Sequence, residues 1–165
     1  LMCIRDGAAN HAFTARALAS RRTRPETGME KETAMKGYVA DIEKLAEKNE
    51  KFRQVLYTGA HLQLVLMTLK PGQDIGAETH ATHDQFFRIE KGKGAAVIDG
   101  VTHKVKGGDC VIVPAGAIHN VTNTGEKPLH LYTLYGPPEH MDHLVQKTKA
   151  EAEASHEAYD GVATE

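Results

Sequence analysis

The segment Glu78-Thr79-His80 carries two side chains that can act together chemically. Residues two apart on a β-strand point to the same face, so a strand here would present the Glu78 carboxylate beside the His80 imidazole. Carboxylates and imidazoles are ligands that suit a borderline divalent metal ion. The pair therefore suggests metal binding, with further ligands supplied by other strands.

His119 lies in a segment whose sequence fixes its position. Cys110 to Val113 is an apolar, β-branched run typical of a buried strand. Pro114 and Gly116 then form a turn that neither a helix nor a central strand would carry. The chain re-enters a strand with His119 near its start. This strand-turn-strand unit is predicted to hold one imidazole at a fixed place.

Both segments resemble the signature motifs of the cupin superfamily, in which a small β-barrel holds a metal ion. In the second motif the family pattern of Gly, Pro-x-Gly, His and Asn is matched by Gly108, Pro114, Gly116, His119 and Asn123. The resemblance extends over about residues 35 to 150. It implies that His119 is a metal ligand inside the barrel.

The first motif departs from the family pattern at two positions. The family has two histidines and a glutamate, whereas this chain has Glu78, His80 and Gln85 at the matching positions before Gly92. Together with His119, these residues are the metal site that the resemblance implies. The set keeps two imidazoles and one carboxylate, with the carboxylate moved.

The implied ligands suit a divalent ion of zinc, manganese, iron, nickel or cobalt. Two neutral imidazoles and one carboxylate leave about one net positive charge on the ion, which can polarise a carbonyl group or stabilise an oxyanion. The same residue types match the facial triad of non-haem iron oxygenases. The alternative is a barrel without metal, in which the four polar side chains bind one another or a ligand.

His83 gives a rival ligand set. It follows His80 by three residues, so regular strand alternation places it on the opposite face unless a turn at Ala81-Thr82 brings it round. Two further residues are predicted for the pocket. Phe87 shares the face of Gln85, and His130 can point into the barrel.

The chain as a whole has the pattern of an all-β fold. Short apolar runs alternate with Gly- and Pro-containing turns, and Asp99-Gly100 indicates a two-residue type I′ hairpin. We predict a jelly-roll barrel, the cupin double-stranded β-helix, with a short N-terminal helix and a C-terminal helix. The predicted strands are 54–58, 61–69, 85–90, 95–98, 101–105, 110–113, 117–122 and 129–135.

The ends of the chain differ from the middle in composition. Residues 1–28 carry five arginines and only two acidic residues, and residues 1–34 are predicted to be a disordered or non-native extension, with a transit peptide as the alternative. Residues 35–138 are predicted to form the cupin barrel. Residues 139–165 are predicted to form a helical tail, with an exposed helix over 144–159 that could mediate dimerisation.

Composition indicates a single domain in a reducing compartment. The 165 residues suit one core, and the two cysteines give no disulfide framework, so Cys110 is interpreted as a small buried hydrophobe. A cytoplasmic location follows. The net charge of −2 gives no nucleic-acid footprint, and no apolar run approaches the roughly 20 residues of a membrane span.

Two classes of function follow. In the first, a metal-dependent enzyme acts on a small oxygenated metabolite, either sugar-like or a keto or hydroxy compound. Isomerase-type Lewis-acid chemistry is favoured, and an Fe(II) dioxygenase is the neighbouring possibility. The resemblance includes small bacterial cupins labelled mannose-6-phosphate-isomerase-like, although nothing here forms an obvious phosphate cradle. In the second class, the barrel binds a metal or small ligand without turnover. The resemblance also favours a homodimer.

Overall fold

Short strands with alternating buried and exposed side chains form the centre of the chain. The computed structural model describes residues 35–165, and the prediction for residues 1–34 lies outside this part. The described part contains nine β-strands and two α-helices. In chain order these are α1 (Ile42–Lys48), β1 (Arg53–Thr58), β2 (Gln63–Leu69), β3 (Asp84–Lys91), β4 (Lys93–Ile98), β5 (Val101–Lys106), β6 (Cys110–Val113), β7 (His119–Asn123), β8 (Leu129–Gly136), β9 (Val145–Gln146) and α2 (Lys149–Ala154).

The strands form two antiparallel sheets. A six-stranded sheet has the order β6-β3-β8-β2-β1-β9, and a three-stranded sheet has the order β5-β4-β7. Several neighbours, such as β3 and β8, are far apart in the chain, as they are in a jelly roll. The predicted all-β jelly-roll fold, with a short helix before the strands and another after them, is confirmed.

The hydrophobic core takes side chains from both sheets. Along β8 the burial alternates with a period of two, so that Leu129, Leu131, Thr133 and Tyr135 are buried and the residues that alternate with them are not. Phe87 of β3 and Val121 of β7 belong to the same apolar cluster. Burial of each such side chain contributes about 1.5–3 kcal/mol, which gives the barrel a rigid wall from which polar side chains can project.

The β4–β5 hairpin turns at Asp99-Gly100, as predicted. The φ angles of these two residues are 44° and 80°, the backbone that a type I′ turn requires. The Asp99 carboxylate accepts a hydrogen bond from the Ile118 N–H at 2.9 Å, and the Asp99 N–H donates to the Ile118 carbonyl at 2.8 Å. The turn therefore fixes the residue that immediately precedes His119.

The two helices are short surface elements. The predicted helix over 144–159 is wrong in its extent, because Val145–Gln146 pairs with β1 and only Lys149–Ala154 is helical. Thr148 caps the start of α2, since its side chain accepts a hydrogen bond from the Glu151 N–H. None of the helices within residues 35–165 is long and apolar enough to cross a membrane.

Cys110 also differs from the expectation. It is exposed on the edge strand β6, whereas the sequence-based interpretation made it a buried thiol. The reason is strand alternation, because Val111 and Val113 take the inward-facing positions of this strand.

Gly94 allows β4 to pass close to β7, the strand that begins with His119. A Cβ atom at Gly94 would lie 2.6 Å from the backbone oxygen of Thr122, which is too close for a real contact. We expect Gly94→Ala to lower the free energy of unfolding by about 1–3 kcal/mol, the usual cost of overpacking. Urea denaturation measures this change. Gly125→Ala is the control, because its Cβ would lie 3.3 Å from the nearest atom, and an equal loss in both variants would contradict the explanation.

Candidate metal centre

Backbone pairing brings Glu78 and His119 together. The segment before β3 runs antiparallel to β7, and the Glu78 N–H donates to the His119 carbonyl at 2.9 Å while the His119 N–H donates to the Glu78 carbonyl at 2.9 Å. Residues paired across such a ladder have neighbouring side chains. His80 points to the same side as Glu78, as their spacing predicted, and its Nε2 lies 3.5 Å from Oε2 of Glu78.

Gln85 joins the group from β3. Its Oε1 lies 2.8 Å from Nε2 of His119, and its Nε2 donates to the Thr133 hydroxyl at 3.0 Å. The contact with Thr133 turns the amide so that its oxygen faces His119. On the other side of the ring, Nδ1 of His119 lies 3.3 Å from the Ala117 carbonyl. Without an ion, the contact with Oε1 of Gln85 needs the proton of His119 on Nε2, which then donates to that oxygen. With an ion bound, the proton would sit on Nδ1 and be donated to the Ala117 carbonyl, so that Nε2 and the Gln85 oxygen could both face the ion.

The surroundings favour the protonation state that a metal needs at Glu78 and His119, but not at His80. Burial acts to raise the pKa of Glu78, but the His80 imidazole 3.5 Å away and the Arg53 cation outweigh it and hold that pKa below its usual range. Burial lowers the pKa of His119, which favours a neutral imidazole. The pKa of His80 is raised, chiefly by Glu78, so a cation at this position would compete with a proton for His80.

The ligand atoms are close enough to share one ion. One atom each from Glu78, His80 and His119 lie within 4.8 Å of one another. Nε2 of His80 is buried and lacks a hydrogen-bond partner. A buried nitrogen in that state is costly, and a metal ion bound to its lone pair would remove the cost. The residues present therefore fit a metal ion.

His83 lies beside His80 rather than on the opposite face that regular alternation gives. A bend at Ala81-Thr82 turns the chain, and the two imidazole rings stack with centroids 4.6 Å apart. Nε2 of His83 lies 3.6 Å from Oε2 of Glu139, and Nδ1 of His80 lies 3.9 Å from Oε1 of the same carboxylate. Because His80, His83 and Glu139 also have ligand atoms within reach of one another, the rival set stays open.

Of the two further pocket candidates, only Phe87 lies at the site. Its side chain is fully buried, and its ring centroid is 5.9 Å from that of His119. The expectation that His130 points into the barrel is wrong, because alternation along β8 turns the leucines on either side of it inward. Nδ1 of His130 lies 3.1 Å from the Ala46 carbonyl of α1, and its side chain lines a separate cavity of about 530 Å³ beside that helix.

Known proteins share this fold and sequence. Residues 65–135 match the family model described as Cupin domain. The uncharacterized protein YrkC of Bacillus subtilis (strain 168) is 41% identical over 131 residues, which cover 76% of this chain and 70% of that protein. The chain belongs to the cupin superfamily.

Other relatives of this cupin support the assignment. The uncharacterized protein L612 of Acanthamoeba polyphaga mimivirus is 40% identical over 107 residues, covering 62% of this cupin and 67% of that protein. The crystal structure of BH2720 from Bacillus halodurans has a TM-score of 0.72 at 40% identity, covering 73% of this cupin and 96% of that chain. The crystal structure of TT1209 from Thermus thermophilus has a TM-score of 0.54 at 25% identity, covering 60% of this cupin and 96% of that chain. These likenesses establish family and fold, so the chemistry has to be argued from the site.

The site of this cupin also contains charged residues that sequence reasoning missed. The Arg53 guanidinium lies 3.7 Å from Glu78 and 3.9 Å from Glu157. Nδ1 of His140 lies 2.8 Å from Oε1 of Glu157. The sequence contained one indication for Arg53, which precedes Val55 by two residues and so shares the inward face of β1. Glu157 and His140 come from the tail, and only the tertiary fold brings them here.

Polar atoms without a partner are concentrated at this end of the cupin barrel. Within residues 35–165, six buried side-chain nitrogen and oxygen atoms lack a hydrogen-bond partner. Each such atom costs about 1–3 kcal/mol when nothing pairs with it, so a concentration of them indicates a place where an ion or polar ligand binds. Five of the six belong to side chains connected with this site: Nε of Arg53 and the Nε2 atoms of His80, His83, His140 and Gln146.

Glu157 joins the two ends of the tail and lies 3.9 Å from Arg53 of the barrel. Its carboxylate contacts His140 and accepts a hydrogen bond from the Met141 N–H at 3.1 Å. Burial acts to raise the pKa of Glu157, but the hydrogen bond and charge of His140, the Met141 N–H and the Arg53 cation together outweigh it, and the pKa lies below its usual range. A carboxyl group whose pKa is lowered by folding stabilises the fold fully above its unfolded pKa, and this contribution is lost as the pH falls through the folded pKa.

We therefore expect Glu157→Gln to lower the free energy of unfolding by about 1–3 kcal/mol at pH 7. The difference from the wild type should shrink as the pH falls below the ordinary glutamate pKa of about 4.3. Urea denaturation at several pH values measures both effects. The matched control is Glu153→Gln, because the Glu153 side chain is 66% exposed and should change stability little. A loss of stability in Glu157→Gln that does not depend on pH would contradict this role of Glu157. So would equal losses of stability in Glu157→Gln and Glu153→Gln.

Proposed function

We propose that this cupin holds one divalent metal ion with Glu78, His80, Gln85 and His119 and acts on a small oxygenated metabolite by isomerase-type chemistry. The observation that carries the proposal is the convergence of four polar side chains from three segments of the chain at one place in an otherwise apolar barrel. Buried polar groups need a partner. A cation is the partner that two imidazoles, a carboxylate and an amide oxygen can share.

The groups behind the two imidazoles support this arrangement. Glu139 lies 3.9 Å from Nδ1 of His80, and the Ala117 carbonyl lies 3.3 Å from Nδ1 of His119. The Ala117 carbonyl can hold the proton of His119 on Nδ1 and leave Nε2 for the metal, which is the usual arrangement for metal-binding histidines. Glu139 is too far from His80 for a direct hydrogen bond and favours the same arrangement through its charge. Nitrogen and oxygen ligands without a thiolate suit zinc, manganese, iron, nickel or cobalt.

An ion held in this way would supply Lewis-acid chemistry, stabilising negative charge that develops on a substrate oxygen. Isomerisation also requires a group that moves a proton between neighbouring carbon atoms. Glu139 and His83 lie next to His80, and the Glu139 side chain is 40% exposed, so an entering substrate can reach it. These two residues are our candidates for that base, whereas His130 lies too far outside the barrel.

An iron(II) dioxygenase is the second candidate function. The group of Glu78, His80 and His119 has the two imidazoles and one carboxylate of the facial triad in non-haem iron oxygenases. Such an enzyme would consume oxygen, whereas an isomerase would be redox-neutral. The identity of the metal and a measurement of oxygen uptake separate these two candidates.

The expected setting of the protein stays a prediction. From the sequence we expect a homodimer in the cytoplasm that binds a small-molecule substrate, with no nucleic-acid or membrane partner. Sedimentation equilibrium of the purified chain would test the homodimer directly.

Metal content, measured by mass spectrometry on untagged protein, tests the proposed function. We expect about one metal ion per chain in the wild type and a loss of at least roughly tenfold in occupancy in both Glu78→Ala and His119→Ala, because each change removes a ligand. The control is His103→Ala, which removes an exposed histidine of β5 and should leave the metal content unchanged.

Each other outcome has a distinct meaning. Full occupancy in Glu78→Ala would refute the proposed ligand set and favour the set of His80, His83 and Glu139. Zinc or manganese in the wild type would point to isomerase chemistry, and iron would point to oxygen chemistry. A wild type that binds no metal after reconstitution would refute the proposal and favour a barrel that binds a small ligand without turnover.

Glu139→Gln tests the role of this carboxylate behind His80. The change keeps the shape of the side chain but removes its charge, so we expect the metal affinity to fall about 10–100-fold while about one ion per chain still binds at saturation. Competition with a chelator measures the affinity. Glu126→Gln, in an exposed turn, is the matched control. An unchanged affinity would exclude the orienting role, and a loss of the ion at saturation would make Glu139 a ligand itself.

A further inference from the structure

Arg53 places a buried cation next to the proposed metal ligands. Its side chain is 9% exposed, and its Nη2 lies 3.7 Å from Oε1 of Glu78. On the other side, Nη1 lies 3.9 Å from Oε1 of Glu157 and donates a hydrogen bond to Oε1 of Gln146 at 3.1 Å. Arg53 reaches the site because strand alternation along β1 turns it inward, on the same face as Val55.

This guanidinium has more donors than acceptors around it. It carries five N–H groups, and among the described residues only Gln146 accepts one within hydrogen-bond distance. Nε is buried without a partner, and both carboxylates are farther than an ordinary charged hydrogen bond. A charge taken out of water and left underpaired is costly. A group that completes these hydrogen bonds would bind strongly.

A bound metal ion would leave Arg53 with still less compensation. Glu78 is the carboxylate nearest to Arg53, and it is also the only anionic ligand of the proposed set. Its charge would then be directed to the ion. Glu157 is already engaged by His140 and by the Met141 N–H. Beside an occupied metal site, Arg53 is thus a cation in need of a further anion.

We propose that Arg53 binds a carboxylate group of the substrate, so that the substrate is a small hydroxy or keto acid whose other oxygen atoms reach the metal. This inference rests on the proposed function and specifies its substrate class. Arg53 acts as a binding residue that sets specificity and orientation. Gln146 holds Nη1 of Arg53, and its own Nε2 is a buried donor without a partner.

The chemistry of the site favours a carboxylate over a phosphate. The planar fork of a guanidinium matches the two oxygens of a carboxylate. A single guanidinium balances the single charge of a carboxylate, whereas a phosphate dianion needs more cations. Among the described residues, the side chains in ion-pair, hydrogen-bond or cation–π contact with Arg53 are Phe52, Glu78, Gln146 and Glu157, none of which is a lysine or arginine.

Calorimetric titration with lactate and with lactamide tests the inference, because lactamide keeps the shape and the hydroxyl group but lacks the charge. The protein is loaded with cobalt(II), whose visible spectrum reports ligands that reach the metal. We expect the wild type to bind lactate at least about tenfold more tightly than lactamide. Arg53→Gln should abolish this preference and leave the lactamide affinity unchanged, and Arg53→Lys should retain part of it because it keeps the charge but loses the fork. Arg88→Gln is the matched control, since Arg88 lies on β3 and contacts Glu90.

The outcomes separate this inference from the proposed function. Cobalt content is measured first on the same samples, so a failure to load metal counts against the proposed function alone. In that case the lactate preference is compared between the metal-free wild type and the metal-free Arg53→Gln variant, which still tests the role of Arg53. Circular dichroism identifies a variant that has not folded, in which case Arg53→Lys decides. Three outcomes would overturn the inference. These are a wild type that shows no preference for lactate, a preference that survives the loss of Arg53, and inorganic phosphate that binds more tightly than lactate.

Discussion

The candidate site depends on a short antiparallel pairing between the segment before β3 and the start of β7. Two backbone hydrogen bonds of 2.9 Å join Glu78 to His119 and fix which residues lie opposite each other. A slip of one residue would turn Glu78 and His80 to the other face and dismantle the site. The hairpin turn at Asp99 reinforces the register, because it binds both the N–H and the carbonyl of Ile118.

The polar side chains placed by this pairing are partly or fully buried, so their charges have to compensate one another. In the first motif, Glu78 takes the place of the family's histidine and Gln85 that of its glutamate, and this exchange is consistent with the need for compensation. Glu78 lies between His80 and the Arg53 cation, which stabilise its charge. Gln85 is surrounded instead by the Thr133 hydroxyl and His119, where an amide can both donate and accept. A carboxylate in the place of Gln85 would lack the direct contact with a cation that Glu78 has. The carboxylate therefore occupies the position where a cation lies beside it.

The tail adds the outer contacts of the site. Glu139 lies beside His80 and His83, and Glu157 lies between His140 and Arg53. The pairing of β9 with β1 holds this part of the chain against the strand that carries Arg53. The same segment thus stabilises the barrel and sets the electrostatic surroundings of the candidate metal ion. Substitutions in the tail are expected to affect stability and ligand binding together.

The sequence by itself determined the fold and most strand positions, and it identified Glu78, His80, Gln85 and His119 as candidate metal ligands. Period-two alternation and turn residues such as Asp99-Gly100 act locally, so they can be recognised without knowing what packs against them. Predictions from these local patterns failed where one pattern is compatible with two structures. His83 depended on whether the chain bends at Ala81-Thr82, and His130 depended on which face of β8 is covered by α1.

Only the tertiary structure decided that Arg53, Glu139 and Glu157 belong to the site. These residues come from β1 and the tail, and no spacing in the sequence relates them to Glu78 or His119. The reason is physical: the pairing of β1 with β9 and the contacts of the tail are long-range interactions whose partners a local pattern does not specify.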